Sequence, residues 1–394
     1  MRSRRFLGWV REKKRGLAVG AAALFVLALG LITSGPPAVA GRSSQPKDPT
    51  PLLAYYYIWF DPTSWDRAKM DYPLLGRYSS DDVNVMRQHI QWAKEAGING
   101  FIVSWKSTDA LDARLAKLVQ VAAAENFKLA IIYEGLDFNR NPLPADKVAA
   151  DLDYFIQHYG TNPVFDLYGK PLVIWSGTWK FSRADVQKVT TPRRSSLLIL
   201  ASEKNVKGYE RLADLVDGDA YYWSSVNPDT FTGYASKLNA MADAIHSHQG
   251  LWIAPAAPGF DARLVGGTSV LDRQNGTVLR QEMNTAMQSS PDAIGLISWN
   301  EFSENSYVEP SQKYGDLYLR VLADIRNTPP PVIPSFDSSD PGPIGPAGTN
   351  PWPLAQAAAL GLIALVLGVS LVALVRRRTA NTESKLPNVR SSNP

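Results

Sequence analysis

The chain has 394 residues, 45% of them hydrophobic, no cysteine and a net charge of +4, which is enough apolar content for a sizeable core without disulfide staples. Without cysteine there is no disulfide framework, thiolate nucleophile or cysteine-based zinc site. The positive charge sits at the two ends, in Arg2, Arg4, Arg5, Arg11, Lys13, Lys14 and Arg15 and again in Arg376–Arg378, so the near-neutral middle offers no basic face for nucleic acid.

In chain order, a basic segment, residues 1–16, precedes an apolar run over 17–33 that reads as a signal peptide or a signal anchor. Ala38-Val39-Ala40 fits a small-residue cleavage site, and residues 34–51 form a linker. At the other end, residues 327–352 are dense in Pro and Gly and read as an extended stalk, followed by a transmembrane helix over 353–375. The Arg376–Arg378 cluster places the tail, 376–394, in the cytoplasm, so both flanks put the globular part outside the cell membrane, with the lipid bilayer as a partner.

Residues 52–326 alternate strand-like and helix-like segments. Strands are expected at Leu53–Trp59, Gly100–Trp105, Lys128–Glu134, Pro171–Trp175, Ser196–Ala201, Asp219–Trp223, Leu251–Pro255 and Ala293–Trp299. Helices are expected between them, the first begun by Ser80-Asp81 and stopped at Gly97. Eight such units predict an α/β fold of the (β/α)8 TIM-barrel type. An open doubly wound sheet is the competitor, but its dinucleotide-binding form would carry a Gly-rich phosphate turn after an early strand, and none is present.

In such a barrel catalytic groups gather where strands end. Here the strand ends are rich in aromatics (Tyr57, Trp59, Trp105, Tyr133, Trp175, Tyr222, Trp299), which reads as a rim for flat sugar faces. After the last strand, Trp299-Asn300-Glu301-Phe302-Ser303-Glu304-Asn305-Ser306-Tyr307-Val308-Glu309-Pro310 releases three carboxylates beside large rings. A glycosidase needs two carboxyl groups around the scissile bond, and Glu301 and Glu304 are the candidate pair. They converge only if the chain turns after Trp299, since residues three apart on a strand face opposite ways. His246 and His248, two apart on a helix, do not share a face and suggest no metal. His89 and His158 read as helix-surface residues, and Asn275-Gly276-Thr277 is a glycosylation sequon.

The run Asp71-Tyr72-Pro73-Leu74-Leu75-Gly76-Arg77-Tyr78-Ser79-Ser80-Asp81-Asp82, with Val103-Ser104-Trp105, Trp299–Glu304 and Val308-Glu309-Pro310, resembles glycoside hydrolase family 99, the endo-α-mannosidases and endo-α-mannanases. The resemblance implies a retaining, endo-acting enzyme that cuts internal α-mannosidic bonds with neither metal nor cofactor, through attack of the sugar's own 2-hydroxyl and a 1,2-anhydro intermediate. By motif position it makes Glu301 the base on that hydroxyl and Glu304 the acid, later the base for water. Glu134 is implied as a sugar-binding carboxylate, with Trp105 and Tyr222 walling the same subsite and Asp261 and Arg263 in a similar loop after the seventh strand; Tyr57, Trp299, Asn300, Tyr307 and Glu309, at strand ends and in the closing loop, are further substrate-binding candidates. The partner implied is an α-mannose-containing glycan, and no protein partner is expected. The family usually has Trp where Phe302 stands and His-Glu-Gly where this chain has Ser303-Glu304-Asn305, and the segment through Pro310 leans toward a related group from bacterial polysaccharide gene clusters. A non-catalytic glycan-binding barrel and a transglycosylase stay open as alternatives.

Overall fold

The computed structural model describes residues 49–330, Ala68 excepted. The expected signal segment, stalk, transmembrane helix and tail lie outside them. No helix of the described residues is long and apolar enough to cross a membrane.

Eight parallel strands form the centre: β1 (Leu52–Tyr57), β2 (Gly100–Trp105), β3 (Lys128–Glu134), β4 (Leu172–Ser176), β5 (Leu198–Leu200), β6 (Gly218–Ala220), β7 (Leu251–Ala256) and, after a two-stranded hairpin of β8 (Phe260–Asp261) and β9 (Val270–Leu271), β10 (Ala293–Leu296). Their order is β5-β4-β3-β2-β1-β10-β7-β6. The two edge strands meet through one parallel bridge, Ala201 to Asp219, with Ala201 N–H donating to the Gly218 carbonyl at 3.0 Å and Ala220 N–H to the Ala201 carbonyl at 2.9 Å. The sheet thus closes into a (β/α)8 barrel, as expected, though β5 and β6 are shorter than the sequence suggests.

Among the described residues eight α-helices surround it: α1 (Val83–Glu95), α2 (Asp109–Ala124), α3 (Ala145–Tyr159), α4 (Arg183–Thr190), α5 (Val206–Glu210), α6 (Tyr234–Ser247), α7 (Thr277–Gln288) and α8 (Leu317–Arg326). Helix α1 begins where the Asp82 carboxylate accepts the Asn84 N–H at 2.8 Å. It stops at Gly97, whose φ of +77° suits glycine. The hairpin of β8 and β9 was not legible in the sequence, because it lies within what reads as one long loop.

Strand alternation sorts the core into two layers. Leu53, Tyr55, Tyr57, Ile102, Ala130, Ile132, Ile174 and Ile253 fill the barrel interior. Leu52, Tyr56, Phe101, Val103, Trp105, Ile131, Tyr133, Val173 and Trp175 pack outward under the helices. This corrects the aromatic-rim reading: Trp105, Tyr133 and Trp175 end their strands on the helix side, where Trp105 packs against Tyr133, Tyr154 and Phe155.

Candidate active site

Residues 298–308 fold back on themselves after β10. Val308 N–H donates to the Trp299 carbonyl at 3.0 Å and Ser306 N–H to the Glu301 carbonyl at 3.2 Å, while Glu301 N–H reaches the Ser298 hydroxyl at 2.8 Å. The reversal passes through Asn305, whose φ of 50° lies in the left-handed region that Asn tolerates better than most residues. This is the turn that brings Glu301 and Glu304 to one place.

Two brackets hold the loop from outside. Arg273, just past β9, is buried and donates to the Tyr307 carbonyl and the Asn305 carbonyl, each at 2.8 Å. Its guanidinium lies between 4.4 and 4.7 Å from the ring centres of Tyr307, Tyr314 and Tyr318, a cation–π seat that keeps a buried charge in favourable contact. Next to it, Asp261 N–H donates to the Glu304 carbonyl at 2.7 Å. The second bracket is the stretch after β1: the Asp71 carboxylate accepts the Tyr307 hydroxyl at 2.5 Å, Leu74 N–H donates to the Pro310 carbonyl at 2.9 Å, and the Tyr78 hydroxyl donates to Glu309 at 2.9 Å. The two family-like sequence stretches are thus one structural unit, although more than two hundred residues separate them in the chain.

Both glutamates are buried, at 3% and 2% exposure. Burial pushes the Glu301 carboxyl up to about 7, opposed by the Ser303 N–H that it accepts at 2.9 Å and by the nearby Lys69 ammonium. Glu304 goes well above the ordinary carboxyl range, through burial first and then the charge of Glu301, with Arg140 opposing. One of its oxygens, Oε1, is buried with no hydrogen-bond partner. Burial also lowers Lys69 to about 8.

Glu134, at the end of β3, accepts the Ser104 hydroxyl at 2.9 Å and is raised by burial. The Tyr57 and Tyr222 hydroxyls meet at 2.6 Å; burial raises both groups well above the usual tyrosine range, and each feels both glutamates. Glu134, Tyr57 and Tyr222 line a cleft at the strand ends. One arm is lined by Tyr57, Glu134, Arg140, Trp179, Lys204 and Tyr222. A wider arm of ≈ 480 Å³ is lined by Trp59, Lys69, Lys106, Glu134, Phe138 and Ser303, among others. The arrangement offers two mutually repelling carboxyl groups, one further carboxylate, paired phenols and aromatic walls, a set suited to glycoside chemistry.

The structure therefore brings Glu301, Glu304, Glu134, Tyr57 and Tyr222 together and engages the other expected residues elsewhere. Trp105 and Trp299 are fully buried, Trp299 packing on His89 and Phe101. Asn300 is occupied by the backbone of β1, accepting the Tyr57 N–H at 2.8 Å and donating to the Tyr57 carbonyl at 2.9 Å. Tyr307 and Glu309 belong to the brackets, and the Arg263 guanidinium closes on Asp261 at 2.5 Å with its own side chain largely exposed. His89 is not on a helix surface: it is fully buried between Tyr56 and Glu309. Arg140, Lys69, Trp179, Lys204 and Arg273 were missed. The Asp137–Asn141 turn, tight and polar directly after β3, is the one local signal that could have pointed to Arg140. Among the described residues no group of His, Asp and Glu side chains could hold a metal.

The glycosyl hydrolase family 99 model matches residues 55–319. The chain is 24% identical over 276 residues to "Glycoprotein endo-alpha-1,2-mannosidase" of Rattus norvegicus, covering 63% of this chain and 59% of that protein. It is 25% identical over 290 residues to the "Glycoprotein endo-alpha-1,2-mannosidase-like protein" of Homo sapiens, covering 65% and 61%. It thus spans about three fifths of the length of these relatives. Among solved structures, the GH99 endo-alpha-mannosidase from Bacteroides thetaiotaomicron shares the fold, with a TM-score of 0.62 and 20% identity over 71% of this chain and 97% of that one. The chain belongs to glycosyl hydrolase family 99.

Proposed function

We propose that the protein is a retaining, endo-acting hydrolase of internal α-mannosidic bonds, working through a 1,2-anhydro sugar, with Glu301 as base and Glu304 as acid. The supporting observation is the difference between the two carboxyls: Glu301 accepts a backbone N–H and faces Lys69, whereas Glu304 has an unpartnered oxygen and faces Glu301. Environments that separate two carboxyl groups in this way assign the proton to the higher one. The sugar's 2-oxygen attacks C1 as the bond to the leaving oxygen breaks; Glu301 takes the hydroxyl proton and Glu304 gives its proton to the leaving group. Water then opens the strained ring at C1, losing a proton to Glu304 while Glu301 returns one to the 2-oxygen. Glu134, Tyr57 and Tyr222 hold hydroxyls of the reacting sugar.

The flanking apolar segments and their basic borders support a membrane-tethered enzyme acting outside the cytoplasm. The endo-alpha-1,2-mannosidase name of the matching rat protein supports an α-mannose-containing glycan as substrate. Incubation of the chain with α-mannan and manno-oligosaccharides, followed by product sizing and anomer analysis, tests the reading. Release of internal fragments with retained configuration, lost in Glu304→Gln, is the expected result. Binding without cleavage of any α-mannoside would replace the hydrolase with a glycan-holding barrel.

A further inference from the structure

One end of the cleft carries positive charge, of which Lys204 takes no part in the proposed hydrolysis. The loops after β3, β4 and β5 bring Arg140, Trp179 and Lys204 together with the Ser176 and Ser202 side chains. Lys204 Nζ lies 4.2 Å above the Trp179 ring and makes no ion pair or hydrogen bond among the described residues. Arg140 makes no side-chain ion pair there either, and its Nε is buried without a partner, as is Trp179 Nε1.

Arg140 is held in place at some cost. Its φ of 64° is a left-handed conformation, unusual for a non-glycine residue. The Asp137 carboxylate fixes the turn by accepting the Asn139 and Asn141 N–H groups at 2.9 and 2.8 Å. Glu134 and Glu304 are the carboxylates whose charge Arg140 feels, whereas Glu203, the one that favours the Lys204 ammonium, lies 3.3 Å from Arg211. Burial and the Arg140 charge both disfavour the Lys204 ammonium, so the two cations work against each other.

Buried donors call for an acceptor, and a neutral sugar would satisfy the N–H groups but bring no counter-charge to Lys204, whose ammonium has no ion pair among the described residues. We propose that this end of the cleft is a subsite for an anionic substituent, phosphate or carboxylate, on a sugar bound beside the scissile mannose, gripped by Arg140, Lys204 and the Trp179 N–H. The proposal rests on the hydrolase reading and narrows its substrate to an acidic α-mannoside.

The test uses the full chain carrying Glu304→Gln, so that ligand survives, with dissociation constants measured by calorimetry for three probes. These are a neutral α-manno-oligosaccharide, the same oligosaccharide with a terminal phosphate, and the same with a terminal uronic acid. At least one anionic probe is expected to bind about tenfold or more tighter than the neutral one, with the advantage shrinking as salt is raised. Adding Lys204→Gln brings that ratio toward one, while Lys204→Arg, which keeps the charge, preserves it and controls for misfolding. Whichever anionic probe gains identifies the substituent. Equal or tighter binding of the neutral probe overturns the anionic subsite and leaves the hydrolase reading standing. Failure of all three probes to bind a folded chain removes the hydrolase reading as well.

Discussion

His89 Nε2 and Glu309 Oε1 lie 3.0 Å apart with both side chains fully buried, and the contact ties α1 to the loop after β10. From there the network runs through the Tyr78 hydroxyl to Asn300 at 3.3 Å and on to the backbone of Tyr57. His89 Nδ1 completes it at the Tyr56 hydroxyl, 3.0 Å away. A residue at the back of the barrel thereby sets the position of a phenol in the cleft.

Replacing His89 with Leu strips a buried carboxylate oxygen and a buried phenol of one partner each. The expected cost is about 1–3 kcal/mol for each group left unsatisfied, read by urea unfolding. A smaller loss in kcat than in stability is also expected, because His89 acts on the cleft only through Tyr78 and Asn300. Unchanged unfolding in H89L would show that the contact contributes nothing.

Arg273→Leu removes two carbonyl partners and the charge between three rings. Hydrogen bonds to charged groups are worth about 1.5–3 kcal/mol, so the folded state loses several kcal/mol. Because Arg273 holds the Asn305 and Tyr307 carbonyls, kcat should fall more than KM rises. Kinetics on α-mannoside substrate alongside thermal melts separate the two effects.

The pH profile of kcat/KM follows from the two carboxyls. Under the proposed mechanism Glu301 is needed ionised and stands at about 7, so activity is expected to fall as pH drops below that value; Glu304 is needed protonated, so activity is also expected to fall once pH exceeds its higher value. The two limbs belong to the pair rather than to either group alone. Removing Lys69, the cation that favours ionised Glu301, as in Lys69→Met, should move the acidic limb upward. A limb that stays in place or moves down would contradict the assignment.

Glu304→Gln tests activity and stability together. Loss of a positioned acid costs about 10²–10⁴ in rate. The folded state holds this carboxyl's proton more tightly than the unfolded chain does, so it binds more protons between the unfolded value and the raised folded one, and stability declines as pH rises across that window. Glutamine removes that penalty, so E304Q should melt at a higher temperature than the parent at neutral pH, with the gap closing as pH falls toward 4.5. Calorimetric melts across that range provide the measurement.

Trp105→Ala offers a contrast, since this tryptophan packs beneath the helices. Large-to-small changes at such sites cost about 3–5 kcal/mol, while KM for a manno-oligosaccharide should hold to within about twofold so long as the protein is folded. A KM effect exceeding the loss of folded fraction would return Trp105 to the substrate.

The alternation of strands and helices, the closing carboxylate loop and its convergent glutamates were legible because periodicity and local turn chemistry encode them. The aromatic rim was misread because a run such as Tyr55-Tyr56-Tyr57 places successive rings on opposite faces, and counting them hides which face each takes. Lys69, Arg140, Lys204 and Arg273 were invisible for another reason: their partners lie on other loops, and an isolated basic residue carries no local mark of what it will face. Asn300, Tyr307 and Glu309 were located correctly within their loop and misjudged in what they touch.

The join between β5 and β6 has a further effect. Elsewhere in the barrel neighbouring strands share ladders of three or more residues, but here one backbone bridge is reinforced by side chains: Asp217 accepts the Ile199 N–H at 2.8 Å and Asp219 the Glu203 N–H at 2.7 Å. Amide exchange should be fastest at this seam, on the side of Lys204, and slowest between β1, β2 and β3. Under the proposed function, breathing of the barrel at this seam loosens the Lys204 end of the cleft and leaves the loop that carries Glu301 and Glu304 in register.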